Sequence, residues 1–147
     1  MNIIVRRMRT QDVEAVLRID EKITGTPHEA QWESRIIDQL TRNPLGCLVA
    51  EVGGEVVGFI FGEIRGWEFA IPKSGWIEIV GVDPAYHGKG VARALIEKLH
   101  VHFESHNVGR VMTMVNWNDA GLVSFFCALG FERSQFIILE KPGKPGP

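Results

Sequence analysis

Long hydrophobic runs are missing from this 147-residue chain. No stretch approaches the roughly 18 apolar residues that a membrane-spanning helix needs. A charge excess is missing too: 16 Lys and Arg stand against 18 Asp and Glu, a net of −2. That balance argues against a dedicated nucleic-acid binder, which normally carries a basic face. Cysteine is scarce, and Cys47 and Cys127 are too few and too far apart for a disulfide framework or a zinc site. Tyrosine occurs once, at Tyr86. The opening MNIIVRRMRT places two arginines behind its apolar patch with no small-residue cleavage site, so it does not read as a secretory signal. What is present, 45% hydrophobic and 23% charged residues, is the composition of a folded domain. The expectation is a reduced, cytoplasmic, single-domain protein over residues 1–141 with a disordered tail at 142–147.

Hydrophobic periodicity divides the chain into alternating elements. Residues 2–8 read as a strand. Thr10 reads as a helix N-cap, followed by an amphipathic helix over 11–22 with Val13, Val16 and Leu17 inward. Thr24-Gly25-Thr26-Pro27 breaks it, and a second helix over 28–42 places Trp32, Ile36, Ile37 and Leu40 on one face. Strands follow at 47–52 and from Val56 toward Trp67, joined by the hairpin signal Gly53-Gly54, and again at 76–82. A helix over 90–106 turns Val91, Leu95, Ile96, Leu99 and Phe103 inward. A strand at 110–115, a helix at 122–129 and a last strand at 131–139 complete the order. A meander feeding a strand–helix–strand crossover predicts an α/β fold whose mixed sheet carries helices on both faces.

The chemistry concentrates in Ile79-Val80-Gly81-Val82-Asp83-Pro84-Ala85-Tyr86-His87-Gly88-Lys89-Gly90-Val91-Ala92-Arg93. A strand ends, a basic glycine loop follows, and a helix begins at once. Gly88 and Gly90 allow close approach of a ligand to the backbone, and the loop N–H groups stand where the helix dipole is positive. That is a seat for a pyrophosphate, with Lys89 and Arg93 adding charge beside it. The spacing is neither a Walker loop nor a dinucleotide fingerprint. A glycine-rich helix entry that binds nothing is the alternative on spacing alone.

This strand–loop–helix resembles the acetyl-CoA motif of the GNAT superfamily of N-acetyltransferases, in which Arg/Gln-x-x-Gly-x-Gly/Ala forms the loop. Here it reads His87-Gly88-Lys89-Gly90-Val91-Ala92, with His for the first residue. Downstream, Asp119-Ala120-Gly121-Leu122-Val123-Ser124-Phe125-Phe126-Cys127-Ala128-Leu129-Gly130-Phe131 is similar to the family's Asn…Tyr…Gly-Phe segment, so the match covers nearly the whole chain. The resemblance implies a mostly antiparallel six- to seven-stranded sheet. It implies that acetyl-CoA is a cosubstrate, with no metal. Its pantetheine would lie along Val80, Gly81 and Val82, its pyrophosphate on the loop from His87 through Arg93, and Asn118 and Phe126 would add cofactor contacts. The acetyl group would pass directly to a primary amine through a tetrahedral intermediate.

An ammonium must lose a proton before it can attack, and Glu78 is the candidate base. It lies two residues before Val80, on the same strand face as Val80 and Val82 by period-two alternation, and flanking Ile77 and Ile79 would desolvate it. A solvent-facing strand glutamate is the plain alternative. Phe126 stands where many family members carry a tyrosine that protonates the leaving thiolate, and phenylalanine cannot donate. Met114 stands where the ribosomal-protein N-terminal acetyltransferases use a glutamate, which ranks that subgroup low. The acceptor site is expected between Asp20 and Trp32, with Glu21, Thr24, His28, Glu29 and Trp32 as its candidates, and Trp67 and Trp76 could line it. His100, His102 and His106 read as a solvated helix end rather than a metal site, and Cys47 and Cys127 as core. An acyl-CoA-binding sensor domain of the same fold is the alternative function, and a nucleotide-binding regulatory domain a third. The sheet edges would permit a homodimer.

Overall fold

The computed structural model describes residues 1–27, 30–66 and 73–146, which divide into two compact units, Met1–Met114 and Val115–Pro147. The first holds β1 (Ile3–Arg7), α1 (Val13–Thr24), α2 (Ala30–Arg42), β2 (Cys47–Val52), β3 (Glu55–Arg65), β4 (Ser74–Val82), α3 (Val91–Ser105) and β5 (Val111–Thr113). The second holds α4 (Ala120–Ala128). The sheet runs β1-β2-β3-β4-β5, antiparallel through the first four strands and parallel between β4 and β5. This is a mixed α/β fold with a largely antiparallel sheet flanked by helices.

The sheet's two faces can be assigned from its glycines. A Cβ on Gly58 would meet Val91 and Leu95 of α3, and one on Gly75 would meet the Phe103 ring, so that face belongs to α3. A Cβ on Gly81 would meet Phe59 at 2.7 Å and Ile23 of α1 at 3.2 Å, so the opposite face belongs to α1. Helices therefore pack on both sides, as the crossover pattern predicts. All five inward positions expected of α3 (Val91, Leu95, Ile96, Leu99 and Phe103) are buried. The β2–β3 hairpin turns on Gly53 and Gly54, both at positive φ, as a primed turn requires.

Several expectations are corrected. Thr10 is not the N-cap of α1; it opens a 3-10 turn, Thr10–Asp12, and Asp12 occupies the cap position. The physical reason is a clasp. Asp12 is buried, takes Arg6 Nη1 at 2.7 Å and Nη2 at 2.9 Å, and accepts the Arg9 N–H at 2.7 Å. Arg6 also donates through Nε to Glu51, tying β1 to β2. The guanidinium of Arg6 holds the Asp12 carboxyl below the usual range.

In α2, Ile37 is 45% exposed and Gln39 takes a buried place instead. Gln39 lies seven residues after Trp32, two helical turns along the same face, whereas Ile37 is rotated well away from it. Cys47 is core, but Cys127 is exposed. β5 is three residues long rather than six, and 131–139 joins no strand among the described residues, which contain five strands. Ile137, Ile138 and Leu139 are exposed there, so this apolar run finds no sheet partner among the described residues.

Candidate functional site

Two places in the first unit bring the candidate residues together, and β4 runs through both. The first is its open edge. Pairing with β5 covers only Gly75, Trp76 and Ile77, after which Thr113 Oγ1 donates to the Ile77 carbonyl at 3.2 Å. On the other side, β3 pairs with β4 through Val82, and the Asp83 N–H donates to Val57. Alternation from that bond turns the Gly81 and Ile79 peptide groups toward β3 and those of Val80 and Val82 outward. The Val82 carbonyl accordingly meets His87 Nε2 at 3.0 Å. The N–H and carbonyl of Val80 stand beyond the end of the β5 ladder.

The loop continues from that edge. Asp83 caps a 3-10 turn, Pro84–Tyr86, by accepting the Ala85 N–H at 3.0 Å, and Lys22 of α1 pairs with it at 2.8 Å. Both contacts hold the Asp83 carboxyl below its ordinary range, the Lys22 hydrogen bond more strongly. Gly88 (φ 72°) and Gly90 (φ 85°) lie in the left-handed region, with open space where their Cβ atoms would be. The first bond of α3 runs from the Ala94 N–H to the Gly90 carbonyl, leaving the N–H groups of Val91, Ala92 and Arg93 ahead of the helical ladder. This geometry fits a phosphate-bearing ligand: a run of backbone donors at the positive end of a 15-residue helix, with no described atom within 4 Å of where a Cβ on Gly88 or Gly90 would stand. Lys89 Nζ lies 5.9 Å over the Tyr86 ring, and Arg93 pairs with Glu97 at 3.1 Å on the exposed surface.

The second place is a cavity of about 400 Å³ between α2 and strands β3 and β4. Its position depends on one extra residue. Phe61 pairs with Ile79 and Gly62 with Ile77, so Glu78 is the inserted residue of a β-bulge. Strict alternation would set Glu78 beside Val80 and Val82, as the sequence suggests; the bulge turns it to the other face. There it lines the cavity with its neighbour Ile79, and with Phe61 and Glu63 of β3. Its side chain is 25% exposed and accepts Arg65 Nη2 at 3.4 Å, while Arg65 Nε reaches Glu63 at 2.6 Å. Burial first, then the charge of Glu63 and a hydrogen bond with it, push the Glu78 carboxyl above its ordinary range. Burial, and secondarily the charge of Glu78, push the nearby Cys47 thiol up to about 12, and its Sγ donates to the Asn43 carbonyl.

The helical wall of the cavity presents Trp32, Arg35, Asp38, Gln39 and Arg42. Arg42 pairs with Asp38 at 2.9 Å, and the Arg35 guanidinium sits 5.8 Å from the centre of the Trp32 ring. Of the expected acceptor residues, Trp32 joins Glu78 at this cavity. Glu21 and Thr24 lie at the end of α1, where Thr24 Oγ1 donates to the Asp20 carbonyl, and neither lines it. His28, Glu29 and Trp67 fall outside the described residues, while the Trp76 ring lies 4.9 Å beneath the Arg65 guanidinium. Arg35, Gln39 and Glu63 escape sequence reading. The first two recur at three and seven residues after Trp32, a helical signal hidden by their polarity; Glu63 meets Glu78 only through the strand register.

In the second unit, Asp119 caps α4 by accepting the Leu122 N–H at 3.0 Å, and the Asn118 N–H bonds to Asn116 Oδ1 at 2.9 Å. Phe126 is buried, edge-on to Phe125 and Phe131. His102 and His106 stack edge to face, ring centres 4.8 Å apart, and burial followed by the charge of His106 lowers the His102 pKa. Among the described residues no group of three or more His, Cys, Asp or Glu could hold a metal ion. No described helix is long and apolar enough to cross a membrane.

Residues 13–131 match the acetyltransferase (GNAT) family, and the chain belongs to that family. It is 30% identical over 135 residues to acetyltransferase SG1711 of Sodalis glossinidius (strain morsitans), covering 92% of this chain and 91% of that protein. It is 29% identical over 137 residues to acetyltransferase ECA0875 of Pectobacterium atrosepticum, covering 93% of each. Its fold is like that of the aminoglycoside N-acetyltransferase AAC(6')-Iy solved in complex with CoA, with TM-score 0.81 and 17% identity over 96% of this chain and 95% of that one.

Proposed function

We propose that this chain transfers an acetyl group from acetyl-CoA directly to a primary amine, with Glu78 taking the amine's proton. The observation that carries the reading is the bulge. It puts a carboxylate of raised pKa at the wall of a cavity, two residues of chain from Val80 on the open β4 edge. Acetyl-CoA, when bound, would supply an acyl thioester whose C–S bond is exchanged for a C–N bond; of the two protons the ammonium loses, one would go to Glu78 and the other to solvent, and CoA would leave as a thiolate that solvent protonates. The outward N–H and carbonyl of Val80 would bond the pantetheine arm as an added strand. The donors from Gly88 to Arg93 would hold the pyrophosphate, with His87 and Lys89 at its flank. A carboxylate whose pKa is raised is a stronger proton acceptor than an ordinary one, which suits an ammonium. Direct transfer is also favoured by Cys47, a thiol close enough to feel the charge of Glu78, which burial keeps protonated and therefore poor as a nucleophile. Asn118 and Phe126 are proposed as further cofactor contacts, and Glu21 and Thr24 as the entrance side of the acceptor path.

A second reading, an acyl-CoA-binding sensor with little turnover, is favoured by Phe126, which offers no proton to a leaving thiolate. Two measurements separate the readings. Thermal unfolding with acetyl-CoA, ATP or NAD tests the seat. A ligand present at about 100 times its Kd adds ~2.7 kcal/mol, a shift of a few degrees at this size. Release of free CoA with amine acceptors, lost in Glu78→Gln, tests the transferase; a shift with acetyl-CoA but no release supports the sensor.

A further inference from the structure

The helical wall of the cavity holds two donors with nothing to donate to. Trp32 Nε1 and Gln39 Nε2 are both buried without a hydrogen-bond partner among the described residues, and Gln39 as a whole is only 8% exposed. Buried donors are normally satisfied, so such a pair on one wall of a cavity is a request for an acceptor atom from a ligand. The charges sort the same way. Asp38 is taken by Arg42, and Arg65 serves both Glu63 and Glu78. That leaves Arg35 on the helical wall, with no carboxylate partner among the described residues, opposite two strand carboxylates that share one guanidinium. The cavity is thus dipolar: donors and a cation on α2, surplus negative charge on β3 and β4.

We propose that the acceptor is a free amino acid, a zwitterion whose carboxylate meets Trp32, Arg35 and Gln39 while its amino group faces Glu63 and Glu78. This names the acceptor class for the transferase reading given above and rests on it for the reaction, but not for the binding. Phe61, Ile36 and Ile79 give the remaining wall an apolar surface for an uncharged side chain. A polyamine lacks the acceptor atoms that the two orphan donors need, an aminoglycoside offers them only neutral hydroxyl and ether oxygens, and either would bring surplus positive charge to Arg35. A free carboxylate offers both acceptor atoms and a negative charge, where a peptide carbonyl supplies no charge for Arg35.

The test uses the full chain and compounds differing only in the carboxylate. L-phenylalanine, L-phenylalaninamide and 2-phenylethylamine are compared first, then each other proteinogenic amino acid against its amide, with spermidine, neamine and an amidated dipeptide beside them. Thermal unfolding with millimolar ligand in the presence of CoA reads binding; release of CoA from acetyl-CoA reads turnover. At least one free amino acid is expected to raise the melting temperature and to exceed its amide by about tenfold or more in kcat/KM. Arg35→Gln, at an exposed position, is expected to raise KM for that amino acid with little change in kcat. Gln39→Leu removes a buried unsatisfied donor, so it should raise the melting temperature of the free protein and abolish the amino-acid shift. If Gln39→Leu fails to fold, Gln39→Glu, which repels a ligand carboxylate, should penalise the acid more than the amide. Absence of a shift from every free amino acid, or an equal or larger response to amides, spermidine, neamine or the dipeptide, overturns the proposal. A shift without CoA release leaves the zwitterion site standing and refutes the transferase reading instead.

Discussion

The open edge of β4 with its loop and the cavity beneath α2 are neighbours on one strand, yet they are built from different materials. The edge is made of backbone: outward peptide groups at Val80, the glycines at 88 and 90, and the free N–H groups opening α3. The cavity is made of side chains brought from α2, β3 and β4, half of them charged. A backbone-built seat suits a ligand common to many proteins, because it tolerates almost any side chain that stays small. A side-chain-built cavity can be rewritten one residue at a time, which suits a partner that differs from protein to protein.

That contrast makes the two regions separable by mutation. The largest effect should come from Glu78→Gln, lowering kcat about a hundred- to ten-thousandfold with the KM for acetyl-CoA unchanged. Because the Glu78 pKa is raised, the rising limb of the wild-type pH–rate profile should lie above the ordinary glutamate value of about 4.3, and it should vanish in the variant. An acid limb unchanged in Glu78→Gln would assign the base elsewhere.

Next in size is a control distant from both regions. Asp12→Ala strips the clasp of its buried carboxylate and leaves Arg6 short of its partner, costing about 3 kcal/mol. The folded-state pKa of Asp12 is depressed, so its contribution is present above the unfolded value of about 3.9 and is lost as pH falls through the folded one. Urea titrations across that acid range should show a shallower loss of stability in Asp12→Asn than in the wild type, and neither variant should alter the KM ratio between the two substrates.

Gly90→Ala should be smaller and confined to the backbone-built region. A side chain at φ 85° costs roughly 1–2 kcal/mol, so the loop relaxes and acetyl-CoA binding weakens while the acceptor KM holds. Equal damage to both KM values would mean that the two regions are mechanically one. Least of all, Arg93→Gln removes an exposed charge already paired with Glu97, and stability by urea titration should move by under about 0.5 kcal/mol. Raised salt should weaken acetyl-CoA binding to the wild type more than to this variant.

The backbone-built region was the legible one. Glycine at 88 and 90, a strand ending at Val82 and an apolar helical stripe from Val91 are local signals, and each sits in the structure where its spacing placed it. The cavity was legible only in fragments. Trp32 and Glu78 were visible as residues, but their meeting was not, since α2 and β4 are separated by more than thirty residues of chain. Short or unpaired segments failed for a related reason: the apolar run 136–139 has the residue types of a strand, and composition alone does not supply a neighbour to pair with.

The sequence by itself determined the order of elements, the core stripe of α3, the glycine loop and the family likeness, because each depends on residues close together in the chain. The tertiary structure alone decided which face Glu78 presents. One inserted residue between the Phe61–Ile79 and Gly62–Ile77 pairs reverses its direction, and no local propensity marks that position as the bulge. The structure likewise decided that Gln39 is buried with its amide nitrogen unpartnered among the described residues, a state created by the strands and helix around it rather than by the helix that carries it.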